Sequence, residues 1–421
     1  MITEINGTLY PKDSKTVQIK NFEVPSSAAE IHVKFEYFPE KMGGVDNQIT
    51  LSFYDSMGIF MGRYDNPKDF KIGLNASPSA LNTLPLPDIW KVEIECQSLI
   101  SHVDYKIEIN FEGNERYKWY KGELHTHSLH SDGKFNVKEL NEYIKSHSFD
   151  FFFLTEHNNI TGYQDLYSDK DSIGFIGEEL TTFKGHMLIL GNKQFVDWKD
   201  ENGFEKPISI IKKEVDYLHS LIGVAHPSML GEPICGGCGW KYFESPFDTN
   251  LFDFVEIWNG SMESKLLNIE TIYSWISTLR SGKRLTATSG FDLHSSTDPE
   301  PSFWLKNHFY LRNKVLSEVL YAIKHGMSYI SLDPIEVNFY DNIPGTTVKF
   351  NKEARYKFEL SNAFKGRSII ITKNDTIDLG ETYSEEVNLR NLDNEDFVVL
   401  LFLDKDGTPL VITNPVFFEK G

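Results

Sequence analysis

The sequence predicts an α/β protein, a central run of parallel βα units flanked on each side by a small β domain. Three observations carry this expectation. Between residues 121 and 332 apolar strands alternate with helical stretches; before about residue 112 and beyond 333, short alternating runs are separated by turns rich in Gly, Pro, Asn and Asp. Eleven of the thirteen histidines follow residue 124, most of them at predicted strand ends. The 421 residues exceed one compact core, so domains at 1–115, 116–332 and 333–421 are expected.

The first domain reads as an antiparallel β-sandwich with strands at 16–19, 30–37, 49–54, 90–96 and 105–111. In the central domain 137–146 is helical in period and 149–154 is a strand too apolar to face water. A strand at 187–190, a helix at 208–220, strands at 221–225 and 252–258, a helix at 263–280 and a strand at 284–288 follow, and 315–325 is the last helix. The third domain has strands at 336–340, 356–360, 368–372, 397–402 and 409–412. No internal repeat is visible.

Charge narrows the function. Lys and Arg total 42 against 61 Asp and Glu, a formal charge of −19, which argues against a nucleic-acid polymer or an anionic membrane as partner. Residues 1–14 contain no apolar signal core and no run could span a bilayer, so a cytoplasmic protein is expected. Three cysteines exclude a disulfide framework. Cys235 and Cys238 form a CxxC in a glycine-rich segment; with no second CxxC to complete a zinc site, they read as two reduced thiols on a loop.

The chemistry sits at strand ends, where parallel βα architectures build their sites. In Glu123-Leu124-His125-Thr126-His127 an i, i+2 spacing places both imidazoles on one strand face, and the Ser131-Asp132-Gly133 turn brings in Asp132. Thr155-Glu156-His157-Asn158 ends a buried strand and offers His157. In 177–186, Glu178 and Glu179 point to opposite faces, which leaves two choices of acid, and His186 follows a tight turn. His226 precedes Pro227, which stops the strand, and Asp292 and His294 form another i, i+2 pair. Six histidines and three carboxylates exceed the needs of one tetrahedral ion and suit two or three divalent cations. Without cations the buried charge would go unpaired.

The order HxH with SDG, TEHN, GEELTTFKGH, AHP and GFDLH resembles the polymerase-and-histidinol-phosphatase (PHP) family of metal-dependent phosphoesterases over roughly 117–332. The preceding β domain and the tail Leu410-Val411-Ile412-Thr413-Asn414-Pro415 look like its CehA/McbA branch. The resemblance implies a distorted (β/α)7 PHP barrel flanked by N-terminal and C-terminal small β-sandwich domains, with two or three divalent metal ions (Mn, Fe or Zn). It selects Glu179 over Glu178. One ion would take His125, His127, Glu179 and Asp292. A second would share Glu179 and add His186 and His226, and a third would take Asp132, His157 and His294. Glu179 and Asp292 would serve in activating the metal-bound water.

One departure from the family pattern bears on substrate: Ser228, Met229 and Leu230 stand after AHP, where family phosphatases often place an arginine. Lys184 is the nearest basic residue by sequence, though it also reads as a solvated loop lysine; the pattern names no general acid, and His130 reads as one candidate or as a merely exposed side chain. The leading expectation is a phosphoesterase acting on a small phosphorylated metabolite, a nucleotide or a phosphodiester. A carboxyl, carbamate or amide hydrolase is the alternative, and a binding module with a degenerate metal site the second alternative. Trp240, Tyr242, Trp258 and Trp304 read as core or as pocket lining. The β domains read as shields for the barrel or as surfaces for a homo-oligomer.

Overall fold

The computed structural model describes residues 1–421 except 66–69, 114–115, 243–250, 261–263, 298–303, 341, 352, 363 and 391–395. The described chain divides into two compact units, Met1–Tyr117 and Lys118–Gly421. The expected boundary at 115/116 lies two residues before this division, and residue 115 is outside the described residues.

The first unit is two four-stranded antiparallel sheets. One orders Ile2–Leu9, Val103–Glu112, Glu30–Phe38 and Phe70–Gly73; the other orders Thr16–Val24, Asp88–Ser98, Gln48–Tyr54 and Phe60–Tyr64. Along Val103–Glu112 every second side chain is buried, from Val103 through Ile107 to Phe111. This period of two gives each sheet one apolar face. The faces share a core that includes Phe22, Phe53, Trp90 and Ile107, a β-sandwich.

In the second unit we label β1 (Lys118–Thr126), α1 (Val137–Ser146), β2 (Phe151–His157), α2 (Tyr163–Ser168), β3 (Gly174–Thr181), β4 (His186–Leu190), α3 (Ile208–Tyr217), β5 (Leu221–Val224), β6 (Phe254–Asn259), α4 (Lys265–Arg280), β7 (Thr286–Gly290), β8 (Leu305–Leu311), α5 (Leu316–His325) and β9 (Ser328–Leu332). Helix α1 starts where Asn136 caps the Glu139 amide while the Glu139 carboxylate accepts from the Asn136 amide. It buries Val137, Leu140, Asn141 and Ile144, one helical stripe.

The sheet runs β7-β6-β5-β4-β3-β2-β1-β8-β9. Strands β1, β2 and β3 are parallel to one another, as are β5, β6 and β7. The segment after β7 returns to β1, where Leu293 N–H donates to His125 O at 3.1 Å and His127 N–H donates to Leu293 O at 2.9 Å. That bridge brings the two ends of the seven-strand run together at the tips where the histidines lie. No helix in the described residues is long and apolar enough to cross a membrane.

Two expectations change. The βα alternation is broken at β4, which runs antiparallel to both β3 and β5. The four residues from Thr182 to Gly185 are too few for a crossover, so β3 and β4 form a hairpin. The stretch 333–421 is not a unit of its own. Pro409–Thr413 pairs with β9, and Asp396–Asp404, Gly366–Ile371 and Thr376–Asp378 extend the same sheet. One core runs from Leu180 on β3 to Phe418. The physical reason is that β9 is buried along its whole length, and a buried strand edge must be paired.

Candidate metal centre

The strand tips bring together the nine residues that the sequence singles out. His125 Nε2, His127 Nε2, Glu179 Oε2 and Asp292 Oδ1 form one donor group. Asp292 Oδ1 is 2.9 Å from His127 Nε2 and 3.2 Å from His125 Nε2, and Glu179 Oε2 is 3.4 and 3.3 Å from the same two atoms. All four atoms are buried and find polar partners only within the cluster, where His157 Nδ1 also lies 2.8 Å from Glu179 Oε2. The other oxygen of Glu179, Oε1, faces His186 Nδ1 at 3.0 Å and His226 Nε2 at 3.1 Å, a second group. Asp132 Oδ1 lies 3.2 Å from His294 Nε2 and 3.5 Å from His157 Nε2, and with His127 these make a third. Asp132 is exposed, so the third group opens to solvent; the second is buried, and in the first only Asp292 is partly exposed.

Local chain geometry holds this arrangement. Asn158, His226 and Asp292, each at a strand tip, have positive φ of 49°, 26° and 57°. Such left-handed backbone is costly for non-glycine residues and concentrates at functional sites. Gly133 is needed because a Cβ there would collide with the His127 carbonyl. Glu178 and Glu179 do point to opposite sides: Glu178 accepts from Asn192 Nδ2 and the Val196 amide, away from the donor groups.

Behind the nine stands a set of carboxylates that sequence reading did not assign. Glu256, on the buried strand β6, has Oε1 at 3.1 Å from His125 Nδ1, which turns Nε2 toward the cluster. Its Oε2 accepts from the His226 amide and from Asn259 Nδ2, both at 2.9 Å. Glu156 accepts from the hydroxyls of Ser128 and Ser131. Glu123 accepts from the amides of His125 and Phe291. His294 Nδ1–H donates to its neighbour's carbonyl, Asp292 O, at 2.7 Å, leaving Nε2 for Asp132. Fixing one ring nitrogen by a hydrogen bond is how proteins aim the other at a metal. A lone acid inside the apolar run Phe254-Val255-Glu256-Ile257-Trp258 was the signal available for Glu256.

Electrostatics without a cation is a set of mutual ion pairs. Burial alone would lower the His125 imidazole, but Asp292, Glu179 and Glu256 outweigh it and hold it well above its ordinary value. For His127 burial prevails and the imidazole is lowered. For His157 burial is overcome by Glu179 and Asp132, and the ring is pushed up to about 9. Burial would raise Glu179, but His125, His157 and His186 hold it well below the carboxylate range, and His125 and His127 do the same for Asp292. Glu123, which has no such cation beyond His125, is pushed by burial to about 7.

Some candidates lie elsewhere. His130 has Nδ1 on Thr161 Oγ1 at 2.9 Å and Nε2 on Asp165 at 3.0 Å, so both nitrogens are engaged outside the cluster. Lys184 pairs with Glu205 at 2.8 Å, and the Ser228 hydroxyl accepts from Thr271 at 2.6 Å. Trp258 and Trp304 are buried in cores. Trp240 and Tyr242 cover the β3–β4 turn: the Trp240 ring leaves no room for a Cβ on Gly185, and the Tyr242 hydroxyl donates to Thr182 Oγ1. The two thiols expected to be reduced, Cys235 and Cys238, are instead joined as a disulfide. The tight CxxC turn holds their Cα atoms 5.3 Å apart, within bridging reach.

No family model matches the chain, and no curated protein does. Among solved structures, the chain is similar to a two-domain protein from Bacteroides vulgatus containing a predicted PHP-like metal-dependent phosphoesterase, at 14% identity, TM-score 0.41, covering 72% of this chain and 95% of that one. It is also similar to a candidate metal-dependent phosphoesterase from Bifidobacterium adolescentis, at 13% identity, TM-score 0.32, covering 42% and 89%. A third is an amidohydrolase from Chromobacterium violaceum with bound sulfate and no metal, at 12% identity, TM-score 0.29, covering 42% and 88%. These are distant likenesses in chain path, and the chemistry open to the site follows from its own donors.

Proposed function

We propose that the chain is a metal-dependent hydrolase, a phosphoesterase acting on a small phosphorylated metabolite, a nucleotide or a phosphodiester. The observation that carries this is the convergence on one point of four buried donor atoms, His125 Nε2, His127 Nε2, Glu179 Oε2 and Asp292 Oδ1, whose close polar contacts are all within the cluster. Buried polar atoms are almost always satisfied, and a divalent cation satisfies all four at once. The donor chemistry fits: imidazoles and carboxylates suit manganese, iron or zinc. His125, His127, Glu179 and Asp292 would hold one ion, Glu179, His186 and His226 a second, and Asp132, His157 and His294 a third. When bound, the ions supply charge neutralisation for an anionic ester and lower the pKa of water toward neutrality.

The chain's own residues do the rest. Glu179 offers one oxygen to each of two groups, which fixes their spacing. Glu256 orients His125 by its side chain and His226 through the backbone. Asp132, His157 and His294 form the exposed edge by which a substrate would enter, while the buried strand tips exclude water from the first group.

A second reading, a carboxyl, carbamate or amide hydrolase, is favoured by the lack of a free cation at the positions considered for a phosphate: Ser228, Met229 and Leu230 stand where an arginine would follow His226-Pro227, and Lys184 is paired with Glu205. Hydrolysis of bis-p-nitrophenyl phosphate, p-nitrophenyl phosphate and a p-nitrophenyl carboxylic ester separates the two. Manganese-loaded protein should turn over a phosphorus ester, and chelation or Asp292→Asn should each abolish it. The loss should exceed the roughly 10–100-fold that removal of an outer partner costs. Turnover of the carboxylic ester alone favours the second reading; turnover indifferent to chelation defeats both.

A further inference from the structure

The hydrolase reading leaves the CxxC segment without a role, yet it sits on the second donor group. Cys238 is buried, and its Sγ lies 3.9 Å from His186 Nδ1 and 3.9 Å from His226 Nδ1. His186, Cys235 and Cys238 offer donor atoms within 4.8 Å of one another. The segment is seated by the site itself: His186 Nε2–H donates to Gly236 O at 3.1 Å, and Gly237, at φ +80°, leaves no room for a Cβ against Thr182 O. That bond leaves Nδ1 of His186 facing both Glu179 Oε1 and the sulfur.

We propose that Cys235 and Cys238 form a redox-controlled ligand set for the ion of the Glu179–His186–His226 group. Joined as a disulfide, Cys238 is a poor donor and that ion has two imidazoles and one carboxylate. A dithiol reductant opens the pair: the S–S bond breaks, two S–H bonds form on Cys235 and Cys238, and the reductant departs as its own disulfide. Cys238 then binds the ion as thiolate, its proton passing to solvent. The thiolate would add a soft donor beside His186 Nδ1, the atom that faces both Glu179 Oε1 and the sulfur, and so shift the group's preference from manganese toward zinc. Reduction thereby tightens and retunes one ion of the centre. The inference rests on the metal-centre reading above.

Cobalt(II) titration of the full chain, oxidised or reduced with a dithiol and then freed of it without air, tests both separately. Reduced wild type should show thiolate-to-cobalt charge-transfer absorption beside the d–d bands, and Cys235→Ser should show it whether or not it has met the reductant. Oxidised wild type and Cys238→Ser should show d–d bands alone and hold one ion on the order of tenfold more weakly. Full d–d bands without charge transfer in reduced wild type overturn the proposal and leave the metal centre standing. Charge transfer that persists in Cys238→Ser overturns the assignment to Cys238, and no cobalt uptake by any form overturns the metal centre with it.

Discussion

Glu256 shows what a residue in this site does beyond offering a lone pair, since it steers the His125 ring and pins the His226 amide without belonging to the nine. Glu256→Gln keeps the volume but weakens the bond that orients His125. Metal affinity should fall roughly 10–100-fold, and the metal-free protein should also melt lower because buried His125 loses one of its charged partners; unaltered affinity by competition with a chelating dye would count against the role. Proton competition is the second residue-scale consequence. His157 is pushed up to about 9, so at neutral pH its ring carries a proton that a cation must displace. A raised imidazole value makes the protonated form the competitor up to that pH, so metal uptake should strengthen as pH rises toward about 9. Calorimetry in buffers of different ionisation heats should register released protons, and identical affinity at pH 6.5 and 8.5 would contradict the electrostatics. At this scale the sequence was informative wherever a polar group ended an apolar run: His125, His157 and His226 stand out that way. Strand alternation separated Glu178 from Glu179 but could not say which faced the cluster. Glu256 stayed hidden because a buried acid within a strand reads the same whether it orients a ligand or fills a structural hydrogen-bond network.

Elements were legible where their ends carry local chemistry. The start of α1 follows from Asn136 and Glu139, whose capping bonds are written in four residues. The direction of β4 was not legible, because Met187-Leu188-Ile189-Leu190 is apolar on both faces and would suit a parallel or an antiparallel neighbour equally. What decided it was the brevity of the turn between Thr181 and His186. That hairpin has a functional consequence: it sets Glu179 and His186 on adjacent strands, so His186 Nδ1 meets Glu179 Oε1. The packing of β7 against this cluster rests on Gly290, where a Cβ would collide with Glu256 Oε1 and come within 2.7 Å of His125 Cβ. Gly290→Ala must therefore push Glu256 off His125 or lift the end of β7. We expect a loss of about 1–3 kcal/mol in unfolding free energy together with weakened metal binding. A variant that lost stability but bound metal as tightly as wild type would show that β7 moves and Glu256 does not.

At the scale of the whole chain, alternation reveals that a strand has one buried face and says nothing of which sheet it joins, so the run from 333 onward read as a separate β domain. The pairing of β9 with Pro409–Thr413 is long-range, set by a register of Tyr329 with Thr413 and Ile330 with Ile412 that no local pattern encodes. Asn414 adds a lock, its side chain accepting from Ala287 N–H at 2.8 Å and donating to Ala287 O at 2.9 Å. The tail therefore holds the middle of β7, a few residues from Asp292. A chain ending at Leu332 would expose the edge of β9 and strip the core of Val399, Leu401, Ile412 and Phe418. Burial of apolar side chains contributes about 1.5–3 kcal/mol each, and whole-domain stabilities are only about 5–15 kcal/mol, so that chain should be insoluble or molten. The chain from 118 to 421 retains the entire core and all three donor groups and should fold alone, with a sharp thermal transition that rises on adding manganese. Cooperative melting of the chain ending at 332 would show that the C-terminal strands are an accessory after all, and that the tips of β1 to β7 hold their geometry without them.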